Sequence, residues 1–280
     1  MNPKMLVAAG ALAVAAPLAA GDVVQITTAK DNTLYEDTTG NLSNGAGAYM
    51  FCGMTSLNLR RRALMMFDVP AAVPAGSTIN SVTLTLNMSQ TIAFDTTCGL
   101  HPVSADWGQG ASVPGGNQGG GIQALPGDAT WLHTFWNTQT WATPGGDFNA
   151  APSATQTVGV LGVYTWGSTA GMTADVQSWL DQPATNFGWM IVGDETATST
   201  AKRFDTHEHP VVASRPVLTI DYTPPCYPDC NNSGTLSVAD FGCFQGKYVL
   251  GDMYADCNAS GTLSVADFGC FQGKYVLGCP

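Results

Sequence analysis

Apolar and polar residues alternate along much of the chain, and this alternation predicts β-strands. Within residues 78–88, apolar side chains stand at nearly every second position. Residues 63–67 and 189–192 are continuous apolar runs, typical of strands covered on both faces, and only residues 172–180 show helical spacing. We therefore expect a mainly β, jelly-roll-like β-sandwich over residues 21–223.

The composition agrees with a turn-rich antiparallel sheet. The 280 residues include 32 glycines and 16 prolines, and only 11% are charged. Glycine permits positive φ in tight turns, so this composition disfavours a helical bundle. The net charge is -11, and Arg60-Arg61-Arg62 is the one basic run. Phosphate binding needs many cations on one face, so we expect no nucleic-acid partner.

The N-terminus has the features of an export signal. One lysine precedes a short apolar run over residues 5–16, and small residues follow up to Ala20. No second apolar stretch of transmembrane length follows. We expect residues 1–20 to be a cleaved signal peptide, which makes the mature chain a secreted, surface-associated protein without a membrane span; the alternative is an uncleaved N-terminal anchor.

Export also explains eight cysteines, because oxidising compartments convert cysteine pairs into disulfides. Cys52 and Cys98 are the two that precede residue 225, so we expect them to pair. On the chain-entropy account, such a bridge stabilises the fold by about 4 kcal/mol. The remaining six also have disulfide roles and are Cys226, Cys230, Cys243, Cys257, Cys270 and Cys279.

A duplication defines a second domain, which we expect over residues 224–280. Residues 233–251 recur identically at 260–278, a period of 27 residues. A Pro-Pro step at 224–225 marks the boundary, where cysteine density rises abruptly. Cys226 and Cys279 bracket the domain, which suggests a clasp. The other four cysteines occupy equivalent places in the two copies, so bridges within or between the repeats are both possible.

Each copy opens with a twelve-residue loop whose oxygen-bearing positions match an EF-hand calcium loop. Calcium prefers hard oxygen ligands, and two carboxylates per loop balance one Ca²⁺. We expect two Ca²⁺ sites; the alternative is an Asx-rich turn without metal. The predicted ligands are Asp229, Asn231, Ser233, Thr235, Ser237 and Asp240 in the first copy, and Asp256, Asn258, Ser260, Thr262, Ser264 and Asp267 in the second.

A helical pattern with no entering helix follows each loop, so each copy is one loop plus one helix. Two such repeats at the end of an exported chain resemble a dockerin, and the cysteine-rich form resembles the dockerin-like C-terminal anchoring domains of planctomycete surface proteins. The resemblance implies docking to a cohesin-like or surface-anchoring protein. The docking contacts that it implies are Val238, Ala239, Val265 and Ala266.

The first domain also resembles a known family. The similar segments are DNTLYE at 31–36, RRALMMFDV at 61–69, PAGSTI at 74–79, DVQSWL at 175–180 and the stretch 204–218. Their order and spacing resemble a DNRLRE domain, grouped with carbohydrate-binding module family 96. The resemblance covers residues 22–222 and implies noncatalytic polysaccharide binding.

Aromatic residues concentrate in a glycine-rich segment, residues 106–148. Flat rings can cover the C–H face of a sugar while carboxylates accept its hydroxyls. The candidate sugar contacts are Trp131, Trp136, Trp141, Asp128 and Asp147. The alternative is that these rings pin a long loop onto the sandwich. Arg60-Arg61-Arg62 could attract an acidic polysaccharide or form a solvated strand edge, since alternate strand residues point apart.

Catalytic motifs are weak. No nucleophile elbow of the G-x-S-x-G kind occurs. His207-Glu208-His209 would put two imidazoles on one strand face as a possible metal pair, or it is a polar strand end. The sequence therefore favours a secreted, noncatalytic carbohydrate-binding protein with a calcium-dependent dockerin-like domain. The alternatives are a structural cell-envelope protein without a sugar ligand and a small polysaccharide-degrading enzyme.

Overall fold

The computed structural model describes residues 21–279, which form two compact units that divide after Pro225. The predicted signal peptide, residues 1–20, lies outside the described residues. The strands are β1 Asp22–Ile26, β2 Lys30–Tyr35, β3 Leu42–Ser43, β4 Tyr49–Met54, β5 Arg60–Met66, β6 Thr78–Thr91, β7 Thr96–Pro102, β8 Ile122–Gln123, β9 His133–Phe135, β10 Gln139–Thr140, β11 Ala154–Val158, β12 Gly162–Trp166, β13 Trp189–Val192, β14 Lys202–Asp205 and β15 Val217–Thr223. The helices are α1 Ala170–Asp181, α2 Val238–Val249 and α3 Val265–Leu277.

The first unit is a curled antiparallel sheet of eleven strands. Its main path runs β1-β15-β6-β14-β4-β5-β13-β7-β11, while β12 pairs with β6 and β2 pairs with β5. Strand β4 pairs with β14 on one side and with β5 on the other, so it joins the two halves of the sheet. The mainly β class predicted from the alternation is confirmed, and the curled sheet is consistent with a sandwich.

The main core lies inside the curl. Strand β6 supplies Val82, Leu84, Leu86 and Met88 to it, because alternate residues of a strand share one face. Helix α1 covers this core and buries four apolar side chains, including Trp179, whose ring centroid lies 4.5 Å from that of Trp189. The helical spacing in residues 172–180 thus predicts a real helix.

The C-terminal unit has a small aromatic core and three disulfides. Phe244 and Phe271, equivalent residues of the two repeats, stack with ring centroids 4.2 Å apart and are fully buried. The disulfides are Cys226–Cys279, Cys230–Cys243 and Cys257–Cys270. The bridges therefore form within each repeat, and the bracketing pair closes the predicted clasp.

Within residues 21–279, no helix combines the length and the apolar content needed to cross a bilayer. Three disulfides fit an oxidising environment.

Candidate functional site

Two of the tryptophans predicted to contact sugar are buried. Trp131 is 5% exposed and Trp141 is 4% exposed, and both pack in a second core between the sheet and the 106–148 segment. The Trp141 Nε1 donates to the carbonyl of Thr130 at 2.9 Å, and the Arg62 guanidinium lies over the Trp131 ring. The sugar-stacking prediction is wrong for these two rings, because their faces pin the long segment onto the sheet.

The other predicted sugar contacts also hold the segment together. Trp136 is half-buried, with its ring edge-on to His133 at 4.9 Å between centroids. Asp128 is fully buried and accepts a hydrogen bond from the Leu125 amide at 2.6 Å, and burial raises the pKa of its carboxyl. The Asp147 carboxylate accepts from two backbone amides of its own turn. These carboxylates serve the loop backbone rather than a free sugar surface.

The three consecutive arginines of β5 divide between two faces, as strand geometry requires. Arg62 forms a bidentate ion pair with Glu195, at 2.7 and 2.8 Å, and Arg60 lies 3.6 Å from the same carboxylate. Arg61 points to the opposite face, where its guanidinium lies over the Tyr35 ring at 4.8 Å. Arg61 therefore lies on the other face from Glu195, the acidic partner of Arg60 and Arg62.

Arg61 lines a groove that contains two further cations, Lys202 and Arg203. Among residues 21–279, none of these three side chains has a carboxylate oxygen within 4.0 Å, whereas Lys30, Arg60, Arg62 and Lys247 all do. The groove has a volume of about 120 Å³. Its remaining walls carry aromatic, apolar and polar side chains, including Phe51, Gln90, Thr91, Ile92 and Asn117.

Arg61 and Arg203 are held by backbone carbonyls, ring faces and a hydroxyl rather than by carboxylates. Arg61 Nη1 donates to the carbonyls of Arg60 and Glu36 at 2.8 and 3.1 Å, and burial lowers the pKa of its guanidinium. The Arg203 guanidinium lies 3.8 Å over the Tyr49 ring, and its Nε donates to Ser89 Oγ at 3.0 Å. Both guanidiniums are therefore fixed in position while their charge stays uncompensated by a paired carboxylate.

Lys202 fixes one wall of the groove. Its side chain is 1% exposed, and its ammonium donates to Thr91 Oγ1 and to the carbonyls of Ala93 and Phe94, at 2.8, 3.1 and 2.6 Å. Burial lowers the pKa of this ammonium. The three hydrogen bonds hold the turn between β6 and β7.

That turn presents an exposed aromatic ring. Phe94 is 94% exposed, and Ile92 in the same turn lines the groove. The neighbouring turn between β11 and β12 adds Val160 and Leu161, which are also exposed. The sequence analysis did not predict this arrangement, in which an exposed ring lies beside a groove lined by basic side chains. The available signal was a phenylalanine within a polar turn sequence, TIAFDTT at 91–97.

The two loops of the C-terminal unit have the same geometry. In the first, Asp229 accepts from the amides of Ser233 and Gly234 at 2.9 and 2.7 Å, and Asp240 accepts from the Ser237 amide at 2.7 Å. Asp256 and Asp267 repeat these hydrogen bonds in the second loop at matching distances. In both loops, therefore, the two carboxylates accept hydrogen bonds from equivalent backbone amides of their own loop.

Left-handed backbone makes these reversals possible. Gly234 and Gly261 have φ of 78° and 81°, and Asn232 and Ala259 have φ of 53° and 54°. Glycine adopts positive φ without strain, and asparagine tolerates it better than most residues, so the reversals at Gly234 and Gly261 suit glycine. The predicted calcium ligands of each loop are brought around one turn, and their all-oxygen donor set fits Ca²⁺.

The residues that the dockerin resemblance assigns to docking lie on the surface. Val238 is 84% exposed and Val265 is 83% exposed, and Ala239 and Ala266 beside them are exposed too. Each valine is the first residue of its helix. Among the described residues, these apolar side chains are exposed and therefore accessible to a partner protein.

A separate polar cluster joins Asp31 of β2 to the turn after β14. His207 Nδ1 lies 2.8 Å from Asp31 Oδ2, and His207 Nε2 lies 3.0 Å from Glu208 Oε1. The hydrogen bond to Asp31, followed by that to Glu208, raises the pKa of His207 to about 10. His209, the second imidazole of the metal pair that the sequence left as one of two alternatives, is not part of this group; its Nε2 lies 3.8 Å from Asp205.

Comparison with known proteins adds no relative, since neither a family model nor a curated protein matches the chain.

Proposed function

We propose that this chain is a secreted, noncatalytic carbohydrate-binding protein whose jelly-roll-like domain binds an acidic polysaccharide. The observation that carries the proposal is the groove lined by Arg61 and Arg203, two guanidinium groups without a paired carboxylate in a chain of net charge -11. The buried Lys202 ammonium beside them is already bonded to three acceptors at the β6–β7 turn. In such an acidic chain, cations left together without acidic partners favour an anionic ligand.

The chemistry of the groove fits a sugar that carries a carboxylate or sulfate. Guanidinium groups form strong charge-assisted hydrogen bonds with such anions. Gln90 and Asn117 can exchange hydrogen bonds with hydroxyls, and the free ring of Phe94 can cover the C–H face of a neighbouring residue of the polysaccharide. The resemblance of the domain to the DNRLRE family implies polysaccharide binding in general, and the acidic class is inferred from the groove alone.

The test is binding of the full chain to immobilised polysaccharides that are carboxylated, sulfated or neutral, with released oligosaccharide monitored throughout. We expect saturable, salt-sensitive binding to an acidic polysaccharide without product. Arg203→Gln should weaken binding by about tenfold or more, the loss expected for a hydrogen bond to a charged group. Arg61→Lys keeps the charge and tests the fork geometry, so a smaller loss is expected.

Arg60→Gln is the matched control, because Arg60 belongs to the same basic run but faces Glu195. It should leave binding unchanged. Phe94→Ser should also weaken binding, with Val23→Ser on β1, likewise an exposed apolar residue, as its control. Equal affinity for neutral polysaccharides, or equal losses in Arg60→Gln and Arg203→Gln, would contradict the proposal. Release of oligosaccharide would indicate a degrading enzyme instead.

The C-terminal unit, on this proposal, attaches the binding domain to a surface or scaffold. Its two loops bind one Ca²⁺ each through the predicted oxygen ligands, and Val238, Ala239, Val265 and Ala266 contact a cohesin-like or surface-anchoring protein. The support is the repeated loop geometry, the exposure of the four docking residues and the resemblance to dockerins.

A further inference from the structure

The cluster of Asp31, His207 and Glu208 contains more acceptor oxygens than donors. Asp31 is fully buried, and its Oδ2 accepts from His207 Nδ1, from the His207 amide and from Thr28 Oγ1. Its Oδ1 is also buried and has no hydrogen-bond partner. Glu208 Oε2 is in the same condition, while Glu208 Oε1 accepts from Gln109. A buried carboxylate oxygen without a hydrogen-bond partner is energetically costly, so a cation or a hydrogen-bond donor near Asp31 Oδ1 and Glu208 Oε2 would be stabilising.

The charge of the cluster leads to the same requirement. With both carboxylates ionised, two negative charges surround one imidazole, so the net charge is negative whether or not that imidazole is protonated. Within residues 21–279, no lysine or arginine lies within 4.0 Å of either carboxylate. A divalent cation with a neutral imidazole would bring the group to zero net charge, which burial favours.

The geometry allows one ion to reach all three side chains. One ligand atom each from Asp31, His207 and Glu208 can be chosen so that all three lie within 4.8 Å of one another. Strand β2 supplies the first ligand and the turn after β14 supplies the other two, so the site is formed only in the folded chain. Gln109, from the 106–148 segment, contacts Glu208 and orients it.

We propose that Asp31, His207 and Glu208 bind a divalent first-row transition cation of the Zn²⁺ type. One imidazole nitrogen with two carboxylates suits these metals, whereas Ca²⁺ and Mg²⁺ prefer all-oxygen sites. Three protein ligands leave at least one coordination position for water. The site differs in donor set and location from the two oxygen loops of the C-terminal unit.

The test is titration of the full chain with Zn²⁺ by calorimetry, in buffer with saturating Ca²⁺ so that the C-terminal loops are occupied. Co²⁺ serves as a second probe, because its visible absorption reports the ligand set. We expect one Zn²⁺ per chain. His207→Gln and Glu208→Gln should each weaken binding at least about tenfold, since even the loss of a group that only hydrogen-bonds a metal ligand costs about 10–100-fold.

Two controls match these variants. His133→Gln removes an imidazole bound to Thr130, and Glu195→Gln removes a carboxylate paired with arginine; both should leave Zn²⁺ binding unchanged. His209→Gln tests the neighbouring imidazole and should also bind normally. Absence of saturable Zn²⁺ binding, or a loss in His209→Gln with none in His207→Gln, would overturn the assignment. Glu208 is on a partly exposed turn, so Glu208→Gln keeps the test valid if substitution of buried Asp31 prevents folding.

Discussion

The Sγ atoms of Cys52 and Cys98 lie 3.6 Å apart in the core of the sheet, and both side chains are fully buried. A disulfide requires about 2.05 Å between these atoms, so the two are thiols in contact and the bridge expected from the sequence is not formed. Burial protects both thiols from exchange with reagents in solvent.

A thiol count on the full chain separates the two states. With the three C-terminal disulfides intact and no reductant, we expect no reactive thiol in the native protein and two after denaturation. If the disulfides are reduced before denaturant is added, we expect eight reactive thiols in the denatured protein. Cys52→Ala lowers the count in denaturant to one and serves as the control. No thiol in unreduced, denatured protein would mean that the predicted Cys52–Cys98 bridge forms after all.

Trp131→Ala should destabilise the first unit rather than abolish a sugar contact. The ring is buried in the second core, and removal of a buried tryptophan costs about 3–5 kcal/mol. Urea denaturation followed by tryptophan fluorescence measures the change. Trp136→Ala, at a half-buried ring of the same segment, should cost markedly less. Similar denaturation midpoints for Trp131→Ala and the unaltered chain would show that the ring contributes little to the core.

The spacing of apolar residues predicts the fold here because it determines which side chains are buried. The alternation in β6 specifies which side chains enter the core, and the spacing in residues 172–180 predicts α1. The 27-residue repeat likewise predicts two loop-helix units, which carry matching hydrogen bonds. The first two signals are local in sequence, since neighbouring residues alone determine them, and the repeat is visible from the sequence because its two copies are identical over 19 residues.

The candidate sites are harder to predict because they depend on distant pairs. Asp31 and His207 are separated by 176 positions, and Arg61 shares its groove with Lys202 and Arg203. Aromatic density pointed to the 106–148 segment, but burial of large rings is strongly favourable, and among residues 21–279 the exposed aromatic ring is that of Phe94. Composition identifies aromatic-rich segments without showing which rings remain exposed.

Lys202→Met should weaken both the fold and the proposed polysaccharide binding. Methionine has similar length but leaves the carbonyls of Ala93 and Phe94 without their donor; these acceptors are part-buried, so the cost should not exceed the about 1–3 kcal/mol of fully buried ones. The turn that carries Phe94 then loses its anchor. Urea denaturation gives the stability loss and the polysaccharide assay gives the binding loss. Lys30→Met, which breaks a partly exposed pair with Asp106, should leave polysaccharide binding intact. Unchanged binding in Lys202→Met would show that the turn holds its position without the ammonium.

Calcium should stabilise the C-terminal unit and leave the first unit unaffected. All seven tryptophans precede residue 190, so tryptophan fluorescence reports the first unit, while differential scanning calorimetry follows both. At a hundredfold excess of Ca²⁺ over its Kd, binding adds about 2.7 kcal/mol to the free energy of unfolding. We expect a calcium-dependent rise in the calorimetric transition of the C-terminal unit, reversed by chelator, with no shift in the fluorescence transition.

The double variant Asp240→Asn with Asp267→Asn should lose this calcium-dependent rise, because each loop then keeps one carboxylate instead of two. Both aspartates also accept amide hydrogen bonds at the start of α2 and α3, so the variant without calcium should be somewhat less stable. Asp252→Asn is the matched control: its carboxylate also accepts a backbone amide but lies outside both loops, so the calcium response should persist. The three disulfides constrain the unit without metal, which keeps the comparison measurable. If the double variant responds to calcium as strongly as the unaltered chain, the loop carboxylates are not the ligands.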